Sequence, residues 1–431
     1  MGLLLDDNLS WIPHLNSIKD KVAKFQAKLS RVSRATWGLK PNITKTIYLR
    51  ATERLILYGH EIWFRDLQSI RDKVNQIQRA PLIGITKCYR TTSTMALQVL
   101  AGCPPLDIKI KLNLDLQNLL RVHTADDEIC DFEMETPVRT WEVQKIEWGI
   151  EGRWGADTTT IYTDGSKMTN KVGAALVHYR GDVEIFSNQW RLSDDSTVFM
   201  AEMLALKLAV DYCISARFNE VHIVSDSMSS LQALSSVDET KTFINSIKNK
   251  ILNYNGSIKL CWTKAHIGNT KNERADVLAK MATQKVEVDF HFTTPKSLIK
   301  LESKKRVTEI WQQRWDTFPK SGRTKLLFPT VSINRAQGDF YLNQIATGHG
   351  VFNDYQVKYF HKPEGCRCGS TDGDVEHMLF HCPKWKDART NYFPKNYLDW
   401  STMGLLRDKE ARKGLKTIIK LALEEEIDST D

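Results

Sequence analysis

The 431-residue sequence lacks any apolar run near the roughly 18 residues that a membrane span requires. Nor is a secretory leader expected. Met1-Gly2-Leu3-Leu4-Leu5-Asp6-Asp7 is too short an apolar stretch and has no basic lead-in. An intracellular protein is therefore expected, in nucleus or cytoplasm, because Lys304-Lys305-Arg306 is too short to serve alone as an import signal. Cysteine is sparse, eight in all, which excludes a disulfide scaffold. Cys88, Cys103, Cys130, Cys213 and Cys261 are scattered and read as reduced thiols; Cys366, Cys368 and Cys382 cluster. There is no internal repeat and no low-complexity segment. A hydrophobic content of 42% argues against wholesale disorder.

What is present is a divided charge. The net charge is +8, from 60 basic and 52 acidic residues. Residues 19–50 carry nine Lys or Arg against Asp20 alone, and residues 296–325 carry nine against three. Residues 158–285 are nearly balanced, fifteen against thirteen. Two basic segments thus flank a neutral middle. A polyanion such as nucleic acid suits them, and solvated helix faces are the plainer alternative.

The length predicts two to four domains. In residues 1–123, Ile18, Val22, Phe25, Leu29 and Val32 form an apolar helical stripe. Further helices are expected over 43–64, 67–78 and 108–120. Residues 124–157 read as a polar linker. Residues 158–285 alternate between strand and helix patterns: Thr160–Thr163, Val172–Tyr179, Val183–Trp190, a helix over Val198–Cys213, Glu220–Ser225, helices over Ser227–Leu234 and Thr240–Asn253, Ile258–Trp262, and a helix over Asn272–Gln284. That order predicts an α/β fold, a mixed five-stranded sheet with flanking helices. Residues 286–345 read as a basic helical connector, 346–400 as a cysteine-containing region, and 401–431 as a terminal helix with an acidic tail.

Four acids of the middle region stand at element edges. Asp164 closes the first strand at an Asp164-Gly165-Ser166 turn signal, and Glu202 lies in the first turns of the first helix. Asp226 follows the fourth strand. Asp276 comes early in the last helix, after a Thr270-Lys271-Asn272-Glu273 capping-box pattern. Strand ends that converge on one sheet edge would bring these carboxylates together. They would repel unless a cation neutralised them, and hard oxygen ligands suit Mg²⁺ or Mn²⁺. Two such ions suit phosphodiester hydrolysis, with Asp164 placed to bridge them and Gly165 leaving room for a substrate backbone. Any one of these acids alone is more often a turn former or helix cap.

Residues 158–285 resemble the ribonuclease H domain. The motifs are Tyr162-Thr163-Asp164-Gly165-Ser166, Ala201-Glu202, Val224-Ser225-Asp226-Ser227, and Trp262-Thr263-Lys264-Ala265-His266-Ile267-Gly268-Asn269 leading to Asn272-Glu273-Arg274-Ala275-Asp276. The resemblance implies that the four acids hold two divalent metals and that the RNA strand of an RNA–DNA hybrid is cut. It also implies that His266 lies on a mobile loop and assists proton transfer or product release. Lys271 departs from the glycine often found before the Asn-Glu pair. If that glycine uses a positive φ, Lys271 is strained.

The flanks resemble polyproteins of non-LTR retrotransposons, jockey-like elements in particular. Gly2-Leu3-Leu4-Leu5-Asp6-Asp7-Asn8-Leu9-Ser10-Trp11-Ile12-Pro13-His14 is similar to the segment after the reverse-transcriptase palm. Thr92 to Pro105 is similar to the helix and loop that close the thumb. The basic helix within 19–50 would then grip duplex backbone. A Phe/Tyr-Ala-Asp-Asp pair is missing, as are fingers and palm, so DNA synthesis is not expected. The chain reads as the C-terminal part of a longer polyprotein.

Near the C-terminus, Cys366-x-Cys368, eight residues to His377 and four to Cys382 give Cys-x-Cys-x₈-His-x₄-Cys. Three thiolates and one imidazole suit structural Zn²⁺. His381 is the rival ligand, and it abuts Cys382. This run resembles the zinc-binding region at the end of such polyproteins. The expected function is cleavage of the RNA of RNA–DNA hybrids, with nucleic acid as partner. The alternatives are a catalytically silent nucleic-acid-binding relic and, more weakly, an integrase-like nuclease.

Overall fold

The structure is a computed structural model that describes residues 2–122, 131–136, 145–152, 154–265, 268–319 and 322–428. The chain divides into two compact units: Met1–Gln117 with Ser303–Asp431, and Asn118–Glu302.

Among its described residues the Asn118–Glu302 unit has six strands: β1 Trp148–Ile150, β2 Thr159–Met168, β3 Lys171–Arg180, β4 Val183–Leu192, β5 Glu220–Ser225 and β6 Ser257–Trp262. Their order in the sheet is β1-β6-β5-β2-β3-β4. β2, β3 and β4 form an antiparallel meander, whereas β2–β5, β5–β6 and β6–β1 are parallel. Alternation along each strand gives the sheet two faces. Ile161, Val172 and Leu176 pack with Ala201, Leu204 and Ala205 of the Val198–Ala216 helix. Tyr162, Ala175 and Val177 pack with Ala275, Leu278 and Ala279 of the Thr270–Ala282 helix. β3 is buried through its middle because helices cover both faces.

Three expectations change here. The first strand does not end at Asp164-Gly165-Ser166; it runs on to Met168. Thr169 and Asn170 make the turn, with φ of 46° and 66°. That pair of left-handed residues matches the twist of the hairpin strands. The sheet has six strands rather than five. The sixth, β1, comes from residues expected to be linker, and its three residues pair with Leu260, Cys261 and Trp262. The rest of that segment is also tied down where it is described. Phe132 is 1% exposed, with its ring edge-on to Phe199 and Phe292 and tilted against Phe243. Thr136 N donates to Thr240 O at 2.9 Å, and Thr242 N donates to Met134 O at 2.8 Å.

The other unit is helical. In the Ile12–Leu29 helix Leu15, Ile18 and Val22 are buried, but Val32 lies beyond the helix end and is exposed. The single helix expected over 43–64 is broken. Pro41–Ile47 leads into a wide turn at Tyr48–Thr52, then Glu53–Leu57, and Gly59 with φ 67° separates the last turn, His60–Trp63. The N-terminal helices and the C-terminal segments form this unit together. Lys45 fastens them, its Nζ donating to the carbonyls of Gly102 at 3.0 Å and of Ile333 and Arg335, each at 2.7 Å. Gly102, at φ 64°, lies so close that a Cβ would meet Arg335 O at 2.2 Å. Among the described residues no helix is long and apolar enough to cross a membrane.

Phe132→Ala is expected to destabilise the Asn118–Glu302 unit by about 3–5 kcal/mol, as for other buried Phe truncations. A thermal or urea melt checks this. A melt unchanged by the substitution would show that residues 131–136 are linker after all.

Candidate active site and metal centre

The β2–β5 pairing ends at Thr163 and Ser225. Asp164 and Asp226 are the next residues on each strand path, so both stand at the carboxyl edge of a parallel pair. Glu202 arrives from the opposite side of the sheet. Thr197 caps its helix, accepting from Met200 N at 3.2 Å. The helix then touches β2 at Gly165, where a Cβ would lie 2.6 Å from Glu202 N. The space expected to admit a substrate backbone is thus occupied by the helix. Glycine here serves the approach of Glu202 to Asp164.

One carboxylate oxygen from each of Asp164, Glu202 and Asp226 lies within 4.8 Å of the others. Asp164 and Glu202 are buried, 5% and 6% exposed, and Asp164 Oδ2 and Glu202 Oε2 have no hydrogen-bond partner among the described residues. At an effective dielectric of about 20, each ionised pair at this spacing repels by roughly 3 kcal/mol. Burial first, then the charges of Asp226 and Asp276, push Asp164 up to about 7. Burial, then Asp164 and Asp226, raise Glu202 well above the carboxylate range. Unpartnered, mutually repelling carboxylate oxygens are a donor set that fits a hard divalent cation.

Asp276 is not part of this trio. It is drawn along its own helix to Lys280 Nζ at 2.6 Å, although its charge still reaches Asp164 and Glu202. Lys280 also lowers Asp164 in opposition to the acids. Its spacing of four from Asp276 was a readable sign of that pair. Asn272 is a second residue without an assigned role in the sequence reading. It is 3% exposed and donates from Nδ2 to Asp226 Oδ2 at 3.1 Å.

The other donor cluster lies in the Ser303–Asp431 part of the chain. Cys366, Cys368, His377 and Cys382 offer ligand atoms within 4.8 Å of one another. Cys366 Sγ is 3.7 Å from Cys382 Sγ, and Cys368 Sγ is 3.3 Å from His377 Nε2. Zn–S bonds of about 2.3 Å in a tetrahedron place sulfurs about 3.8 Å apart, so the quartet fits zinc. Gly369, at φ 93°, turns the knuckle, and its amide donates to Cys366 O at 2.9 Å. His381 is exposed and outside the quartet.

The ribonuclease H family profile matches residues 156–284. A 115 kDa protein of the type-1 retrotransposable element R1DM of Drosophila melanogaster is 29% identical over 37% of this chain and 16% of its own length. A Pol polyprotein of an R1 element of Nasonia vitripennis is 27% identical over 29% of the chain and 32% of its own length. One from Popillia japonica is 24% identical over 44% of the chain and 78% of its own length. The chain carries a ribonuclease H domain and is similar to the Pol polyproteins of R1 retrotransposable elements. It spans 16% and 32% of the first two relatives. Among solved structures, ribonuclease H1 of Halobacterium salinarum NRC-1 is 20% identical over 29% of this chain and 96% of that one, with a TM-score of 0.25.

Two details of the ribonuclease H domain complete the site. His266 lies outside the described residues. Lys271 is not strained: it lies within the Thr270–Ala282 helix and is absent from the positive-φ residues, whereas Gly268 has φ 84°. Lys271 Nζ instead donates to Gly181 O at 2.8 Å and pairs with Asp182 at 2.9 Å. The helix cap is also one residue earlier than the capping-box pattern implied, at Asn269.

The raised Asp164 has a stability consequence. Its folded pKa of about 7 lies above the ordinary 3.8, so the ionised form disfavours folding. The sign is therefore a penalty, full above about pH 7 and relieved as pH falls towards 3.8. Without divalent cations, Asp164→Asn is expected to melt higher than the parent at pH 8, by about 5 °C for about 2 kcal/mol. The gain should shrink by pH 5. Equal melting temperatures at pH 8 in EDTA would show that the three acids do not repel.

Proposed function

We propose that the ribonuclease H domain hydrolyses the RNA strand of RNA–DNA hybrids endonucleolytically, using two divalent cations, Mg²⁺ or Mn²⁺. Asp164, Glu202 and Asp226 hold them, joined by Asp276. The observation that carries the reading is the pair of buried, unpartnered oxygens, Asp164 Oδ2 and Glu202 Oε2, facing Asp226. Bound cations supply activation of the attacking water and neutralisation of the departing oxygen. Asp164, on the stiff strand, would hold them at the most rigid point of the site. Asp276 joins by leaving Lys280, and its side chain is 20% exposed, enough to swing. His266 assists proton transfer or product release. A 2′-hydroxyl marks the strand to be cut.

In the other unit, Lys19, Lys21, Lys24 and Lys28 project on the exposed side of the Ile12–Leu29 helix and grip phosphates. Cys366, Cys368, His377 and Cys382 bind one structural Zn²⁺. In a complete element the activity would clear template RNA after reverse transcription. A second reading, a silent nucleic-acid binder, is favoured by one observation: Lys280 holds Asp276 away from the other acids.

The test is a labelled RNA–DNA hybrid with Mg²⁺, with Mn²⁺ and with EDTA. Cleavage of the RNA strand is expected with either cation. Asp226→Asn, which removes one trio charge, should lower the rate at least 100-fold, as loss of a metal ligand or its support does. A hybrid that is bound yet uncut in both cations supports the silent binder.

Zinc is checked separately by elemental analysis. One zinc per chain is expected, with Cys382→Ser losing it and melting lower. His381→Ala should keep it. Zinc retained by Cys382→Ser would sink the assignment of that quartet.

A further inference from the structure

The family match begins at residue 156, yet the segment just before it reaches the metal site by two routes. Glu151 follows β1. Its amide donates to Trp262 O at 2.8 Å, and Trp262 Nε1 donates to the backbone carbonyl of Asp226 at 3.1 Å. Its carboxylate accepts from Tyr162 Oη at 2.5 Å and from Asn269 Nδ2 at 2.8 Å. Asn269 Oδ1 caps the last helix by accepting from Asn272 N at 3.5 Å, and Asn272 Nδ2 donates to Asp226 Oδ2 at 3.1 Å. A hydrogen-bonded path thus runs Glu151–Asn269–Asn272–Asp226. Trp262 and Asn269 also bracket the sequence segment that contains His266.

We infer that Glu151, outside the family-matched region, is a positioning residue for Asp226. It acts by holding Asn269, and through Asn269 the start of the Asp276 helix and the Asn272 amide. A carboxylate suits the task. It accepts from two donors at once, and each hydrogen bond to a charged acceptor is stronger than a neutral one. Outer partners that orient metal ligands commonly change metal affinity or activity 10–100-fold when removed. Glu151 acts two residues further out, beyond Asn272 and Asn269, so the low end of that range applies. The inference rests on the metal-binding reading of Asp164, Glu202 and Asp226.

The experiment uses the full chain and two readouts: Mn²⁺ affinity from the free-ion electron paramagnetic resonance signal, and the kcat and KM of hybrid cleavage. Glu151→Ala is expected to weaken Mn²⁺ binding and lower kcat about ten-fold, with KM unchanged. Glu151→Gln keeps an acceptor for Asn269, and Tyr162 Oη can accept from the new amide, so it should restore both within about two-fold. Asn269→Asp still caps the helix but has no donor for Glu151. It should behave like Glu151→Ala even if that variant folds poorly.

A residue with a merely structural role would lower the melting temperature and leave Mn²⁺ affinity alone, and that result overturns the inference. Parent protein that binds Mn²⁺ without cutting hybrid would sink the cleavage reading instead, and the affinities of the variants would still decide the role of Glu151. Parent protein that binds no Mn²⁺ would overturn both.

Discussion

Buried carboxylates that repel one another separate unless something stiffer holds them. In this chain the stiff element is the contact between β2 and the Val198–Ala216 helix at Gly165, where a side-chain carbon would collide with the Glu202 amide. Strand and helix are each locked by many other contacts, through Ile161, Ala201 and Leu204 in one core. The repulsion is therefore borne by the whole unit rather than by the three side chains. Such a site is preorganised for the proposed cations: the geometry exists without them, and their binding would relieve stress instead of ordering a loop.

The sequence made the order of strands and helices readable because the continuous apolar run of β3 and the helical spacing after Thr197 are strong local signals. It misplaced the first turn for a physical reason. Asp164-Gly165-Ser166 has turn chemistry, but its glycine serves a helix contact, and the turn is made two residues after Lys167 by Thr169 and Asn170. β1 was not legible because three residues carry no period, and their pairing is set by β6. Phe132 was a lone aromatic in a polar stretch, and only tertiary packing reveals its neighbours.

The candidate sites divide in the same way. Spacing alone gathered Cys366, Cys368 and Cys382, whereas the rivalry of His377 and His381 is decided by which ring faces Cys368. Order along the chain singled out the four acids, yet the Asp276 carboxylate follows a lysine one helical turn away. Side-chain direction within a helix is a local competition, and a list of acids does not show it. Asn272 was visible within its motif, but its bond to Asp226 depends on the fold.

The burial of Lys45 has a consequence for how the chain matures. Its three carbonyl partners are supplied by Gly102 and by Ile333 and Arg335, the last two 288 and 290 residues after Lys45. The ribonuclease H domain is thus inserted in sequence between the two halves of the unit that Lys45 closes. During synthesis the inserted domain has all of its own sequence first and can fold while the earlier helices wait. Those helices cannot satisfy the buried ammonium until the later segment has left the ribosome. A chain that stops after the ribonuclease H domain would leave that charge and its surroundings open to the chaperones and proteases that recognise unfinished proteins.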